Sequence, residues 1–213
     1  MTTLYFSRNY NPRLAVAAAL HLKAPVAYKF AEPFAPDQAK KFLALNPNRK
    51  VPVLVDGDYV LWEADAIACH LAMQLKSDFW PTDHRLPELI KWLSWGYWNL
   101  VRACDLVHWE RVTKQRYGFG PILEKPVADG LAEFRSSCAI LSKELGDKKW
   151  LLGDKLTYAD FRVACVLPMA DLAGLPLAEY PVVKTWHDRL LELPEWRDPF
   201  ENLQAPDLPE IKR

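Results

Sequence analysis

Two short stretches of this sequence gather side chains suited to chemistry. The first is Ser7-Arg8-Asn9-Tyr10-Asn11-Pro12-Arg13, where hydroxyl and amide donors crowd ahead of an apolar run, Leu14 to Leu20. Asn11 reads as a helix N-cap and Pro12 as the first helical residue, where its missing N–H costs nothing. Backbone N–H groups and the positive end of a helix dipole then point at whatever binds above the loop. Such donors can hold an anion, a thiolate among them. A thiol of pKa near ~8.5 is only slightly ionised at neutral pH. One hydrogen bond to a charged group is worth about 1.5–3 kcal/mol, which lowers that pKa by roughly one to two units. The loop's hydroxyl and amide groups are the candidate donors; for Asn11 taken alone, helix capping is the favoured role.

The second stretch is Asn46-Pro47-Asn48-Arg49-Lys50-Val51-Pro52-Val53-Leu54-Val55, continuing to Leu61-Trp62-Glu63-Ala64-Asp65-Ala66-Ile67. Pro52 is expected to open a strand, one of the few sheet positions a proline accepts. Roughly 5–6% of X–Pro bonds in folded proteins are cis. A cis Val51-Pro52 bond would turn the Val51 backbone N–H and C=O outward, where an extended peptide ligand can pair with them. Glu63 and Asp65 fall at the first turn of the next helix, where a carboxylate is favoured by about 0.3–1 kcal/mol on structural grounds alone.

Other chemistries find little support. His21, His70, His84, His108 and His187 never form a close pair, so no metal site is expected. No Gly-x-Ser-x-Gly elbow occurs, and Gly118-Phe119-Gly120 runs into Pro121 as a turn rather than a phosphate loop. Cys69, Cys104, Cys138 and Cys165 lie 27 to 35 residues apart without a Cys-x-x-Cys pair, which suits buried free thiols in a reducing compartment. Trp92, Trp95, Trp98 and Trp109 form an aromatic stretch readable either as core and interface or as one wall of an apolar ligand pocket.

The elements that must position these residues change style near Phe79. Before it, Leu4 to Phe6, Val26 to Phe30, Val51 to Val55 and Tyr59 to Trp62 read as strands. Asn11 to Leu22, Gln38 to Leu45 and Ala64 to Leu75 read as helices. Asp56-Gly57-Asp58 is a hairpin turn. A βαβ unit beside a hairpin makes a four-stranded mixed sheet with helices on its faces. From Trp80 on, Glu88 to Lys114, Ile122 to Leu145 (interrupted at Gly130), Thr157 to Met169 and Val182 to Leu193 read as a helical bundle. Leu156-Thr157-Tyr158-Ala159-Asp160-Phe161 spells a capping box, Thr157 with Asp160, flanked by a Leu156/Phe161 staple.

Lys and Arg number 27 against 27 Asp and Glu, and the residues to Phe79 hold 9 basic and 7 acidic. Neither half has a charge excess that would draw in nucleic acid or an anionic membrane surface. The longest apolar run is far short of the ~20 residues that span a bilayer. A cytoplasmic protein is expected.

Taken together, these segments resemble a cytosolic glutathione transferase over nearly the whole chain. The most specific stretch, NPNRKVPVLVDGDYVLWEADAI, is similar to the family's Asn-Pro-x-x-x-Val-Pro-x-Leu, hairpin and Glu-Ser-x-Ala-Ile. The Thr157 capping box is similar to its second signature. The resemblance implies a thioredoxin-like glutathione-binding domain over residues 1–79 and an all-helical domain over residues 80–213. It implies that Val51, before a cis Pro52, holds the cysteinyl part of glutathione, Glu63 its γ-glutamyl amino group, and Lys50 or Arg49 its glycyl carboxylate. Ala64 stands where the family usually has a serine. Tyr5, Ser7, Asn9, Tyr10 and Asn11 are each candidates to activate the thiol, Asn11 first by resemblance to bacterial members and Ser7 next, and Tyr10, Trp95, Trp98 and Trp109 would line the site of an apolar electrophile. Glutathione as co-substrate, no metal, a homodimer and a role in detoxification complete the expectation. A fold retained for binding, without catalysis, is the alternative.

Overall fold

The computed structural model describes residues 1–211. The chain forms two compact units. The first joins Met1–Thr82 to a returning segment, Leu193–Pro206; the second holds Asp83–Glu192 and the chain from Asp207.

In the first unit the order is β1 (Thr3–Phe6), α1 (Tyr10–His21), β2 (Ala27–Phe30), α2 (Ala39–Leu45), β3 (Val53–Asp56), β4 (Tyr59–Trp62) and α3 (Ala64–Gln74). The sheet runs β2-β1-β3-β4, with β1 parallel to β2 and antiparallel to β3, and β3 antiparallel to β4. The expected mixed four-stranded, thioredoxin-like sheet is therefore present. Leu4 and Phe6, two residues apart on β1, are fully buried, as the two-residue period of a strand requires. Leu14 through Ala19 on α1 are buried without a gap, which marks a helix covered all round rather than amphipathic. Its second cover is the returning segment, where α11 (Pro194–Arg197) packs on α1. Fully buried Trp196 lies with its ring 4.7 Å from the Arg13 guanidinium, and its carbonyl accepts from Arg13. At the other end of α1, His21 Nδ1 and Glu195 Oε1 are 2.9 Å apart.

Two local expectations are corrected. α1 begins at Tyr10, so Asn9 and not Asn11 is the N-cap, and Pro12 is the third helical residue rather than the first. The proline tolerates this because no N–H among the first helical residues has an intrahelical acceptor. β3 begins one residue after Pro52, because a proline has no N–H to give to the ladder.

The second unit starts with one continuous helical stretch. It comprises α4 (Leu86–Gly96), a π-helical turn (Tyr97–Val101), α5 (Arg102–His108), a second π-helical turn (Trp109–Thr113) and α6 (Lys114–Tyr117). Then come α7 (Glu124–Leu145), α8 (Tyr158–Ala164), a 3-10 turn (Leu167–Met169), α9 (Ala170–Ala173), a second 3-10 turn (Leu177–Glu179) and α10 (Pro181–Leu191). The helix expected from Thr157 to Met169 stops at Ala164. Pro168 accounts for that, since it cannot donate back along the helix and disfavours helical geometry in the residue before it. The capping box is formed, with Thr157 and Asp160 bonded reciprocally. Fully buried Asp160 also accepts from the Leu151 N–H at 2.8 Å and the Trp186 indole N–H at 3.0 Å, so it joins α8, α10 and the 151 turn.

Gly130 does not interrupt α7, which runs straight through it. A Cβ there would lie 2.8 Å from the Ala103 carbonyl oxygen and 2.8 Å from Val107 Cγ2, so the glycine lets α7 cross close to α5. Gly130→Ala should accordingly destabilise the protein by about 1–3 kcal/mol through overpacking, outweighing the roughly 1 kcal/mol of helix propensity alanine adds. A urea midpoint at or above the parent's would show that the crossing relaxes freely.

Candidate active site

The register of the sheet assembles the site. Tyr5 pairs with Val53, and Val53 pairs with Trp62, so these residues form one row across three strands. The chain leaves that row through Phe6-Ser7, enters it through Val51-Pro52 and leaves it again through Trp62-Glu63. Three segments remote in sequence thus meet at one edge of the sheet, with the starts of α1 and α3 beside them.

Each segment is held by its own local structure. The Val51-Pro52 bond is cis, with Val51 half-exposed and Pro52 buried. Ahead of it, buried Asn46 ties a turn: its Oδ1 accepts from the Asn48 N–H at 3.0 Å and its Nδ2 donates to the Lys50 carbonyl at 2.9 Å. Lys50 is left exposed. Arg49 sits in the left-handed region, φ +51, with its guanidinium 5.1 Å from the Phe34 ring. Its Nε is buried without a hydrogen-bond partner among the described residues.

Glu63 precedes α3 with φ +76 and ψ +128. A side chain-bearing residue adopts such a backbone only where its surroundings impose it, and such strain concentrates at functional sites. The turn leaves Glu63 exposed at the N-terminus of α3, with Asp65 in the first helical turn. Ala64, the first residue of that helix, is buried.

In the β1–α1 loop, Ser7 is half-buried and its hydroxyl oxygen accepts from the Asn9 amide at 3.2 Å. That leaves the Ser7 O–H hydrogen to donate elsewhere. Asn9 makes no capping bond with its side chain, although it occupies the cap. Asn11 lies within the first turn of α1, half-buried, beside half-buried Tyr10. Tyr5, the other hydroxyl near this row, accepts from Lys41 Nζ at 3.1 Å. Asn9 as the cap of α1 and Asn46 as the tie of the turn carry no signal of their own in the sequence. Position alone marks them, directly ahead of a helix and of Pro47, and it becomes meaningful only once the helix and turn boundaries are known.

In the second unit the aromatic residues divide. Trp92 is buried, and half-buried Trp95 meets it edge-on at 5.3 Å, with the Trp95 carbonyl accepting from Asn99 Nδ2 at 2.8 Å. Trp98, 66% exposed, stands in the first π-helical turn against Tyr97. Trp109 opens the second π-helical turn and stacks on Phe119 at 6.0 Å, which stacks on Tyr117 at 5.7 Å. π-Helical turns are frequent at functional sites, and here they hold Trp98 and Trp109. Buried Glu110 braces the second turn: its Oε2 accepts from Lys114 Nζ at 2.7 Å and from the Leu123 N–H at 2.8 Å, and these donors hold its carboxyl below the ordinary range. Among the described residues no group of three or more His, Cys, Asp or Glu is placed to hold a metal ion, and no helix is long and apolar enough to cross a membrane.

Comparison with known proteins matches this architecture. Residues 2–73 fit the family model of the glutathione S-transferase N-terminal domain, and residues 124–189 fit that of the C-terminal domain. Glutathione S-transferase theta-1 of Homo sapiens is 31% identical over 178 residues, 79% of this chain and 74% of that protein. Glutathione S-transferase GstB of Escherichia coli is 30% identical over 167 residues, 73% of this chain and 76% of that one. The structure of human glutathione-S-transferase T1-1 in its apo form superposes with a TM-score of 0.85 at 26% identity, over 99% of this chain and 93% of that one. With the sheet, the helical unit and both domain models in the same order along the sequence, the chain belongs to the glutathione S-transferase family.

Proposed function

We propose that the protein joins the thiol of glutathione to small apolar electrophiles, or uses that thiol to reduce them. The observation that carries this reading is the Tyr5–Val53–Trp62 row, which brings a donor loop, the Val51-Pro52 backbone and a strained acidic residue to one sheet edge. In the proposed pose Val51 pairs with the cysteinyl backbone, Glu63 meets the γ-glutamyl ammonium, and Arg49 or Lys50 meets the glycyl carboxylate. The γ-glutamyl carboxylate lies at the N-terminus of α3, drawn by backbone N–H groups where Ala64 offers no hydroxyl. Ser7 and Asn11 donate to the thiolate, aided by the positive end of α1. The thiolate sulfur attacks the electrophilic atom, the S–C bond forms, and the leaving group departs with its electron pair. Tyr10, beside the donor loop, offers apolar surface to the co-substrate. A cytoplasmic homodimer acting in detoxification suits the reading.

Asn11 is not the cap of α1, so its substitution does not remove a cap. Ser7→Ala and Asn11→Ala should each lower kcat, and the residue whose loss costs about ten-fold to a hundred-fold is the principal donor. KM for glutathione should stay close to the parent's. Steady-state kinetics with a generic aromatic electrophile decide the assignment, and an unchanged kcat in both variants would remove the loop from the chemistry. Ala64 favours a second reading, a protein that binds glutathione without turnover. Calorimetric binding without activity across a broad electrophile panel would select it.

A further inference from the structure

Ser7 is gripped on both sides by the far end of the chain. Phe6, immediately before it, is fully buried and stacks on Phe200 with centroids 5.5 Å apart and planes 12° from parallel. Arg8, immediately after it, donates from Nε to the Pro206 carbonyl at 2.8 Å and from an Nη to the Ala205 carbonyl at 3.4 Å. The same guanidinium lies 5.3 Å from the Phe200 ring. Phe200 is itself 7% exposed and follows the Trp196 anchor by one short turn, in which its N–H donates to Asp198 Oδ1 at 3.0 Å. These contacts all lie within the first unit.

A donor helps a thiolate only if its O–H is held in place; a hydroxyl free to swing contributes little beyond what water provides. Asn9 orients the Ser7 oxygen but is exposed, so it cannot immobilise the loop. The buried Phe6–Phe200 stack and the charge-assisted Arg8 bonds can, because each ties a neighbour of Ser7 to a segment that Trp196 seats firmly on α1.

We propose that Phe200 and Arg8 are positioning residues for thiol activation, with the segment Leu193–Pro206 acting as a clamp that fixes Ser7. The proposal rests on the reading that the Ser7 loop serves the glutathione sulfur. A loosened clamp leaves glutathione bound by the other segments and makes its sulfur harder to ionise.

The variants are Phe200→Leu, Phe200→Tyr and Arg8→Gln in the full chain, and two readouts separate clamp from chemistry. Amide hydrogen exchange at residues 7–9 in the ligand-free protein reads the clamp, and should quicken about ten-fold in Phe200→Leu and in Arg8→Gln. The ultraviolet absorbance of bound glutathione against pH reads the sulfur. Its ionisation midpoint should rise by about half a unit to one unit in the same two variants, with kcat at pH 6 falling about three- to ten-fold and KM for glutathione holding. Phe200→Tyr keeps the ring and should match the parent in every readout. Because Phe200→Leu carries no charge change, agreement with Arg8→Gln excludes a direct effect of the Arg8 charge. Unchanged exchange at residues 7–9 overturns the clamp, whether or not glutathione binds. Faster exchange with an unmoved midpoint overturns its role in thiol activation. A parent protein that binds no glutathione overturns the functional reading instead, and the exchange rates still decide the clamp.

Discussion

Asp160→Ala is expected to cost about 3–9 kcal/mol, because it strands the Leu151 N–H, the Thr157 N–H and the Trp186 indole N–H at roughly 1–3 kcal/mol each. A loss of that size is comparable to the whole stability of a typical domain, about 5–15 kcal/mol. The variant should therefore be recovered largely unfolded. Asp160→Asn is the informative companion. Its carbonyl can still accept from Leu151 and Trp186, while its amide meets the Thr157 hydroxyl, which can turn to accept, and the Thr157 N–H, which cannot. An intermediate loss follows, read as a lowered urea midpoint in a protein that still folds.

The same carboxyl gives the protein a pH dependence of known sign. Burial pushes Asp160 up to about 6 from an ordinary 3.8, against the lowering effect of the Leu151, Thr157 and Trp186 donors. Ionisation is thus harder in the folded chain than in the unfolded one. The contribution of Asp160 to stability is full below about pH 4, declines as pH rises to about 6, and is level above that. At ~1.36 kcal/mol per pH unit the decline amounts to about 3 kcal/mol. Asp160→Asn should abolish it. Urea midpoints measured from pH 4 to pH 7 in both proteins check this, and equal slopes would assign the dependence to another group.

Trp196→Ala is the second large effect, at about 3–5 kcal/mol for a fully buried indole. The cation–π partner of Arg13 is lost with it, a further ~2 kcal/mol where the charge is desolvated, as it is at 5% exposure. Trp196→Phe, which keeps a ring over the guanidinium, should recover most of the loss. Amide exchange along α1 should quicken in the alanine variant before that along α7, since Trp196 belongs to the unit of α1. Uniform quickening in both units would mean that they unfold together.

Much of this architecture is legible in the sequence because its signals are local. The hairpin at Asp56-Gly57-Asp58 and the capping box at Thr157 need only their own residues, and the strand at Leu4 to Phe6 needs only its short apolar run. The start of α1 is not legible to one residue, because Asn9 and Asn11 are chemically equal caps and Pro12 is tolerated in either register. Gly130 reads as a breaker until Ala103 and Val107 are seen beside it. The role of Asn46 depends on a turn, and that of Glu63 on a backbone angle, neither of which has a residue-type signature. Least legible is the destination of Trp196 and Phe200. An aromatic in a proline-punctuated segment declares that it will be buried, but not against which partner nearly two hundred residues away.

That return journey has a consequence for the order in which the chain acquires structure at the ribosome. The sheet and its helices are synthesised first, yet the indole that covers Arg13 and the ring that covers Phe6 arrive only after the whole helical unit has been made. At roughly 5–20 residues per second the wait is on the order of ten seconds. Throughout it the nascent sheet exposes the face of α1 that α11 will cover, with the Arg13 cation still in water. The first unit can assemble its strands early but reaches its final stability only once Leu193–Pro206 has been made. A segment made after the helical unit closes a structure begun before it.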